Sequence, residues 1–109
     1  PDDLDLALDD ASARERGLTL GSGVVLVHDQ TVDLVDQIGR IAEFFSDESC
    51  GQCVPCRVGT VRQQEALAAG DIELVHEIGA AMRDASICGL GQTAANAVES
   101  AIVRLGVRP

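Results

Sequence analysis

The apolar positions of this chain change rhythm near Thr31. Before it they alternate or run together; after it they recur every three to four residues. Leu4, Leu6 and Leu8 alternate within an acidic lead-in, residues 1–16, read as irregular or briefly helical. Gly17 to Asp29, G-L-T-L-G-S-G-V-V-L-V-H-D, is the only strand-like stretch. Within it Val24, Val25, Leu26 and Val27 form a continuous apolar run of the kind that expects cover on both faces. A single strand is not stable alone. It is expected to pair with something outside these residues, or to be tied to the helices.

From Thr31 the period is helical. Thr31 predicts an N-cap, and Leu34, Val35, Ile38, Ile41, Ala42 and Phe45 then make one stripe. Asp33, Asp36, Gln37, Arg40 and Glu43 fall on the other faces, and the helix is predicted to end near Ser46. A second helix is predicted from near Pro55 to Ala69, with a weaker stripe of Val58, Val61 and Leu67 beside Ala66 and Ala68. Gly70 stops it and Asp71 caps a third, which carries Leu74, Val75, Ile78, Ala81 and Met82 and ends near Ala85. Thr93 predicts the cap of a fourth, with Ala94, Val98, Ala101, Ile102 and Leu105. The expected fold class is mainly α: a small four-helix bundle over residues 31–109, preceded by a separate segment, 1–30, holding the lead-in and one strand. No internal repeat or low-complexity tract interrupts the pattern.

Composition sharpens this. The chain has 109 residues, 46% of them hydrophobic, and Phe44 and Phe45 are its only aromatics. The core must be aliphatic, which suits helices. The formal net charge is −10 and all eight basic residues are Arg. Such a chain does not bind nucleic acid by counterion release, and an anionic membrane surface repels it. Without Lys there is no P-loop lysine and no Schiff-base lysine. No apolar run approaches the length of a membrane-spanning helix, and no signal-peptide pattern is present. The expected location is cytoplasmic, at most peripheral to a membrane as part of a complex. The chain starts at Pro1 without Met, so it is expected to be a piece of something longer.

The chemistry is concentrated in E-S-C-G-Q-C-V-P-C-R-V-G-T, residues 48–60. Cys50, Cys53 and Cys56 are spaced by two residues each, and Cys88 follows in S-I-C-G-L-G-Q-T-A, residues 86–94. A C-x2-C-x2-C run bends three thiolates toward one point, as in the opening run of bacterial ferredoxins. Ferredoxins continue with a fourth Cys and Pro serving a second cluster; here Arg57 follows Cys56 and no such Cys comes. With four cysteines in all, one iron–sulfur cluster closed by Cys88 is the economical reading. A structural zinc site with four cysteine ligands, in an interaction domain, is the alternative, although zinc usually takes two separated C-x2-C pairs. Disulfides would need an oxidising compartment, and a redox dithiol would need no metal.

The predicted topology supports convergence. Both Cys segments lie at helix junctions, and in an up-down bundle those junctions share one end. Gly51, Gly89 and Gly91 beside the cysteines let backbone N–H groups approach cluster sulfurs and tune the potential, or serve turn geometry alone. Arg57 reads equally as a counter-charge to the cluster or as helix surface.

Other patterns carry less. Gly89 to Ala94 matches G-x-G-x-x-A, but a helix rather than a strand precedes it, so the dinucleotide reading is rejected. Gly21-Ser22-Gly23 precedes its strand and fails likewise. His28 and His76 are single, read as surface or capping residues. Asp2, Asp3, Asp5, Asp9 and Asp10 lack calcium-loop spacing and read as solvated. No nucleophile–base constellation is visible.

These motifs, with L-G-S-G-V-V-L-V at 20–27, resemble the C-terminal part of the NADH-binding flavoprotein (51 kDa-type) subunit of complex I and its relatives. The relatives include NAD-dependent formate dehydrogenases and hydrogenase diaphorase subunits. The resemblance runs through nearly the whole chain in order. It implies that Cys50, Cys53, Cys56 and Cys88 bind one [4Fe–4S] cluster inside a helical bundle. It also implies that residues 1–30 end a preceding ubiquitin-like β-grasp domain. NADH would reduce FMN in an upstream part of the parent chain, and the cluster would relay single electrons toward other iron–sulfur subunits, including a [2Fe–2S] 24 kDa-type subunit. The parent chain would be an NAD-dependent oxidoreductase subunit; this piece, without the NADH and FMN motifs, is not expected to oxidise NADH. C-G-L-G-Q-T-A looks closer to the formate dehydrogenase and hydrogenase branch. Ala95 and Ala97 stand where the family usually has prolines, and the span from Cys56 to Cys88 looks short. Both departures bear on the shape of the second helical hairpin, not on the ligands.

Overall fold

The structure is a computed structural model and describes residues 5–21 and 23–109. It is mainly helical, as the periodicity predicts, and its contacts divide it into residues 1–31 and 32–109.

In the first unit, helix α1 spans Asp10–Glu15. Asp9 caps it by accepting from the Ser12 N–H and hydroxyl, both at 2.9 Å. Those two bonds hold the Asp9 carboxyl below the usual carboxylate range. Ala13 is buried. Asp2 and Asp3 of the acidic run, Leu4 of the expected alternation and Ser22 of the expected strand lie outside the described residues. The described remainder of 17–29 forms no strand, and Val24 to Val27 are 68% to 90% exposed. The physical reason is the one the sequence raises: a strand needs backbone partners, and none of the described residues supplies them.

The second unit holds four long helices and one short one. Helix α2 spans Leu34–Asp47, α3 Val54–Ala69, α4 Ile72–Ala85, α5 Gly89–Thr93 and α6 Asn96–Leu105. Neighbouring contacts run α2 to α3, α3 to α4, α4 to α6 and α6 back to α2. Ile38 and Ala42 of α2, Ala66 and Leu67 of α3, Val75 of α4 and Val98, Ala101 and Ile102 of α6 share one core, joined by Val107. A smaller cluster of Met82, Ala94 and Ala95 continues it, with Phe45 and Ile78 alongside. The core is aliphatic, as the scarcity of aromatics requires.

Three local expectations change. The cap of α2 is Asp33, accepting from the Val35 and Asp36 N–H groups at 2.8 and 3.3 Å. Thr31 instead donates its hydroxyl to Asp29 at 2.6 Å and so is unavailable. The inner face of α3 is Cys56, Thr60, Gln63, Ala66 and Leu67, while Val58 and Val61 are each 46% exposed. Helix α3 packs against both α2 and α4, and close approach selects small residues. At Gly59 a Cβ would sit 2.7 Å from the Met82 sulfur. The fourth predicted helix is broken into α5 and α6: Thr93 ends α5, donating its hydroxyl to the Gly89 carbonyl at 2.8 Å. Ala94 and Ala95 are buried at the break.

The α4–α6 contact is equally tight. A Cβ on Gly79 would collide with Glu99 Oε1 and lie 2.9 Å from the Ala95 Cβ. Glu99 reaches back across this seam to Arg83 Nη1 at 3.1 Å and His76 Nδ1 at 3.7 Å. His76 is thus a surface partner of a carboxylate.

Candidate metal centre

Three of the cysteines are placed by the start of α3. Cys53 is its N-cap residue, in extended conformation, and makes no side-chain cap bond. The first-turn N–H groups of a helix have no partner within the helix and carry its positive end. Pro55 in that turn has no N–H to leave orphaned. Cys56, one turn in, points to the interior and is 5% exposed. Cys50 is exposed in the loop before α3. That loop turns at Gly51, whose φ of +75° is left-handed and favours glycine. Arg57 Nη1 donates to the Gly51 carbonyl at 3.4 Å and so lies along the same loop.

Helix α5 packs on both α3 and α4 and brings the second Cys segment to the first. Cys88 is the N-cap residue of α5 and is exposed. Two contacts join the segments. The Ile87 N–H is the main group holding the Cys53 thiol below the ordinary thiol range, followed by the Cys56 N–H; burial opposes them. Gly91 is buried against Cys56: a Cβ there would lie 2.8 Å from the Cys56 Cβ and would collide with Ser86 Oγ. The three glycines therefore differ. Gly51 is required by its turn and Gly91 by close approach, whereas a Cβ on Gly89 would meet nothing within 4 Å.

Two hydroxyls outside the expected site residues lie here. Ser49 Oγ is 3.4 Å from Cys56 Sγ. Ser86 is buried, and its Oγ has no hydrogen-bond partner. Their signal in the sequence is faint: Ser49 directly precedes Cys50, and Ser86 stands two residues before Cys88.

The donor set suits an iron–sulfur cluster: soft thiols, backbone N–H groups directed at sulfur, and an orphaned buried hydroxyl. Among the described residues no three His, Cys, Asp or Glu side chains converge closely enough to hold one metal ion. A structural zinc ion needs four donors at about 2.0–2.3 Å, so the zinc alternative has no ready-made shell. The G-x-G-x-x-A match opens α5 directly after helix α4, not after a strand, and lacks the context of a dinucleotide site. No helix among the described residues is long and apolar enough to cross a membrane.

A family model described as the NADH-ubiquinone oxidoreductase-F iron-sulfur binding region matches residues 36–105. The chain is 34% identical over 106 residues, 90% of its length, to an F-subunit of NADH-quinone oxidoreductase from Rhizobium meliloti (strain 1021), covering 24% of that protein. It is 34% identical, again over 90% of its length, to the F-subunit of NADH-quinone oxidoreductase from Rhodobacter capsulatus, covering 25% of it. It is 33% identical over the same share to the HndC component of an NADP-reducing hydrogenase from Solidesulfovibrio fructosivorans, covering 22%. The chain thus spans about a quarter of the length of these relatives, and identity alone does not separate their two kinds.

Proposed function

Since the chain belongs to the family of the NADH-ubiquinone oxidoreductase-F iron–sulfur binding region, we propose that it is a one-cluster electron-transfer module of an NAD-linked oxidoreductase complex. Cys50, Cys53, Cys56 and Cys88 would hold a [4Fe–4S] cluster, which when bound accepts and passes on single electrons. The observation that carries this reading is the meeting of the two Cys segments, with the Ile87 N–H at Cys53 and Gly91 against Cys56.

The chain's own residues have separable tasks. The start of α3 directs unpaired N–H groups at thiolate sulfur and favours its negative charge. Gly51 permits the turn that separates Cys50 from Cys53, and Gly91 lets the Cys88 segment close on Cys56. Gly89, with open space around it, leaves room for a bulky inorganic group beside Cys88. The helices α2, α3, α4 and α6 act as a four-helix bundle whose loops at one end carry the ligands. Arg57, drawn along the Cys50 loop by the Gly51 carbonyl, offsets negative charge there.

Residues 1–30 would close a preceding β-grasp domain, whose sheet would pair the Val24–Val27 run. FMN and NAD would bind in a further part of the longer protein. Partners would be other iron–sulfur subunits, a [2Fe–2S] 24 kDa-type subunit among them, in a cytoplasmic or membrane-peripheral assembly of the complex I, hydrogenase or formate dehydrogenase kind.

The test is metal and sulfide analysis of anaerobically prepared protein, followed by visible spectroscopy. Four iron and four sulfide per chain are expected, with a brown colour bleached by dithionite. NADH is expected to bleach it only when the flavin-bearing part is present. Stoichiometric zinc without sulfide would overturn the assignment.

A further inference from the structure

The two serine hydroxyls at the centre have no task in the cysteine reading. Ser49 Oγ lies 3.4 Å from Cys56 Sγ, and in the free thiol either atom can donate. Metal binding fixes the direction, because a coordinating cysteine is a thiolate with no proton to give. The hydroxyl then donates and the sulfur accepts. Gly51 N–H donates to the same Ser49 Oγ at 3.4 Å, leaving its O–H free to turn to sulfur.

Ser86 is the sharper case. Its N–H is used by the Met82 carbonyl at 3.0 Å, and its carbonyl accepts from Gln92 Nε2 at 3.0 Å. Its backbone is held at both ends, yet its hydroxyl is buried without a partner. Buried hydroxyls are rarely left so. The atoms around it belong to the centre: Gly91 on one side, with the Cys56 Cβ facing the same gap. Sulfur held by iron beside this gap would give the hydroxyl the acceptor it lacks.

We propose that Ser49 and Ser86 are hydroxyl donors to cluster-bound sulfur, Ser49 to that of Cys56, and that they raise the reduction potential of the centre. The inference rests on the ligand assignment above. Reduction adds one negative charge to the cluster and its sulfurs, and a donor dipole aimed at sulfur favours the more negative state. Both serines act through ligands; they are positioning residues for electron transfer.

The experiment uses the full-length holoprotein that carries these residues, with Ser49→Ala, Ser86→Ala and the double variant. Iron and sulfide are counted first, and the midpoint is then read by EPR-monitored redox titration. Each single variant is expected to keep four iron atoms and to shift the reduction equilibrium toward the oxidised form by about threefold to tenfold. Tenfold corresponds to about 59 mV for one electron. Exchangeable-proton couplings of the reduced cluster, measured against deuterated solvent, are expected to weaken in each variant. Full clusters with unchanged midpoints would overturn the proposal. If Ser86→Ala does not load, Ser49→Ala decides alone, because Ser49 lies in a half-buried loop outside any helix: an unchanged midpoint there overturns the proposal. Wild-type protein without iron and sulfide would instead overturn the ligand assignment, and the serine proposal with it.

Discussion

The two ends of α3 face different surroundings. At its C-terminal end Ala66 and Leu67 pack with Ile38, Val75, Val98 and Ile102, all apolar and buried. At its N-terminal end the buried side chains are Cys56, Thr60 and Gln63, with Ser86 beside them. Thr60 is satisfied, its hydroxyl donating to the Cys56 carbonyl at 2.9 Å. Gln63 has neither amide atom paired, and Ser86 Oγ is unpaired too. One end is closed by the hydrophobic effect and needs nothing further. The other carries buried polar groups that the described residues do not satisfy. A single helix thus joins the part that stabilises the unit to the part that carries the cysteines.

That division can be broken from either side. The largest effect is expected at the polar end. Cys56→Ala or Cys88→Ala is expected to deplete the proposed four-iron cluster, because these 109 residues hold no fifth Cys to replace the lost ligand; a full iron count in either variant would contradict the assignment. Gly91→Ala comes next. Its new methyl would displace Ser86 and Cys56, and iron content is expected to fall markedly while far-ultraviolet circular dichroism keeps its helical shape. Wild-type iron loading would show that the two segments need not approach so closely.

At the apolar end Ile102→Ala is expected to cost about 2–5 kcal/mol in denaturant unfolding. Protein that remains folded should still bind iron in the wild-type ratio. A change in that ratio at equal foldedness would mean that the two ends are not separable. Gln63→Leu, at the polar end, tests the unpaired amide. Removing it is expected to stabilise the unit by about 1–3 kcal/mol without altering the cluster's spectrum. Destabilisation would reveal a partner for Gln63 beyond the described residues. The smallest effect belongs to the seam between α4 and α6. Arg83→Ala leaves Glu99 with His76 and is expected to cost under about 1 kcal/mol, less at high salt, since Arg83 is well exposed.

What is legible in the sequence follows the same divide. The apolar end is written in its helical period: Ile38, Ala42, Val75, Val98 and Ile102 all belong to predicted stripes. Gly70 and Asp71 also do what their residue types suggest. Gly70 is left-handed at φ +68°, and Asp71 accepts from the Leu74 N–H. The polar end is legible only as a cysteine spacing. Thr60 and Gln63 look like surface residues, so periodicity puts Val58 and Val61 on the inner face of α3 in their place. Hydroxyls have no period of their own, which is why Ser49 and Ser86 escape a reading by pattern. Thr31 and Thr93 suit caps by residue type alone. A better-placed carboxylate at Asp33 takes the first role, and a short helix ending at Thr93 removes the second. The Val24–Val27 run signals a strand by propensity, but propensity cannot say where a partner is.

That run has a consequence for anyone handling these residues without the sheet proposed to pair it. Four consecutive apolar side chains stand open to water, in a segment with no ladder among the described residues. Such a segment is a template for intermolecular β pairing, and its neighbours offer few gatekeepers: Gly23 before it, His28 and Asp29 after it. The net charge of −10 keeps copies apart at low ionic strength. Salt shortens the range of that repulsion to roughly 10 Å near 0.1 M, so solubility should fall as buffer salt rises. A version beginning at Val32 should stay dispersed at concentrations where the longer one scatters light.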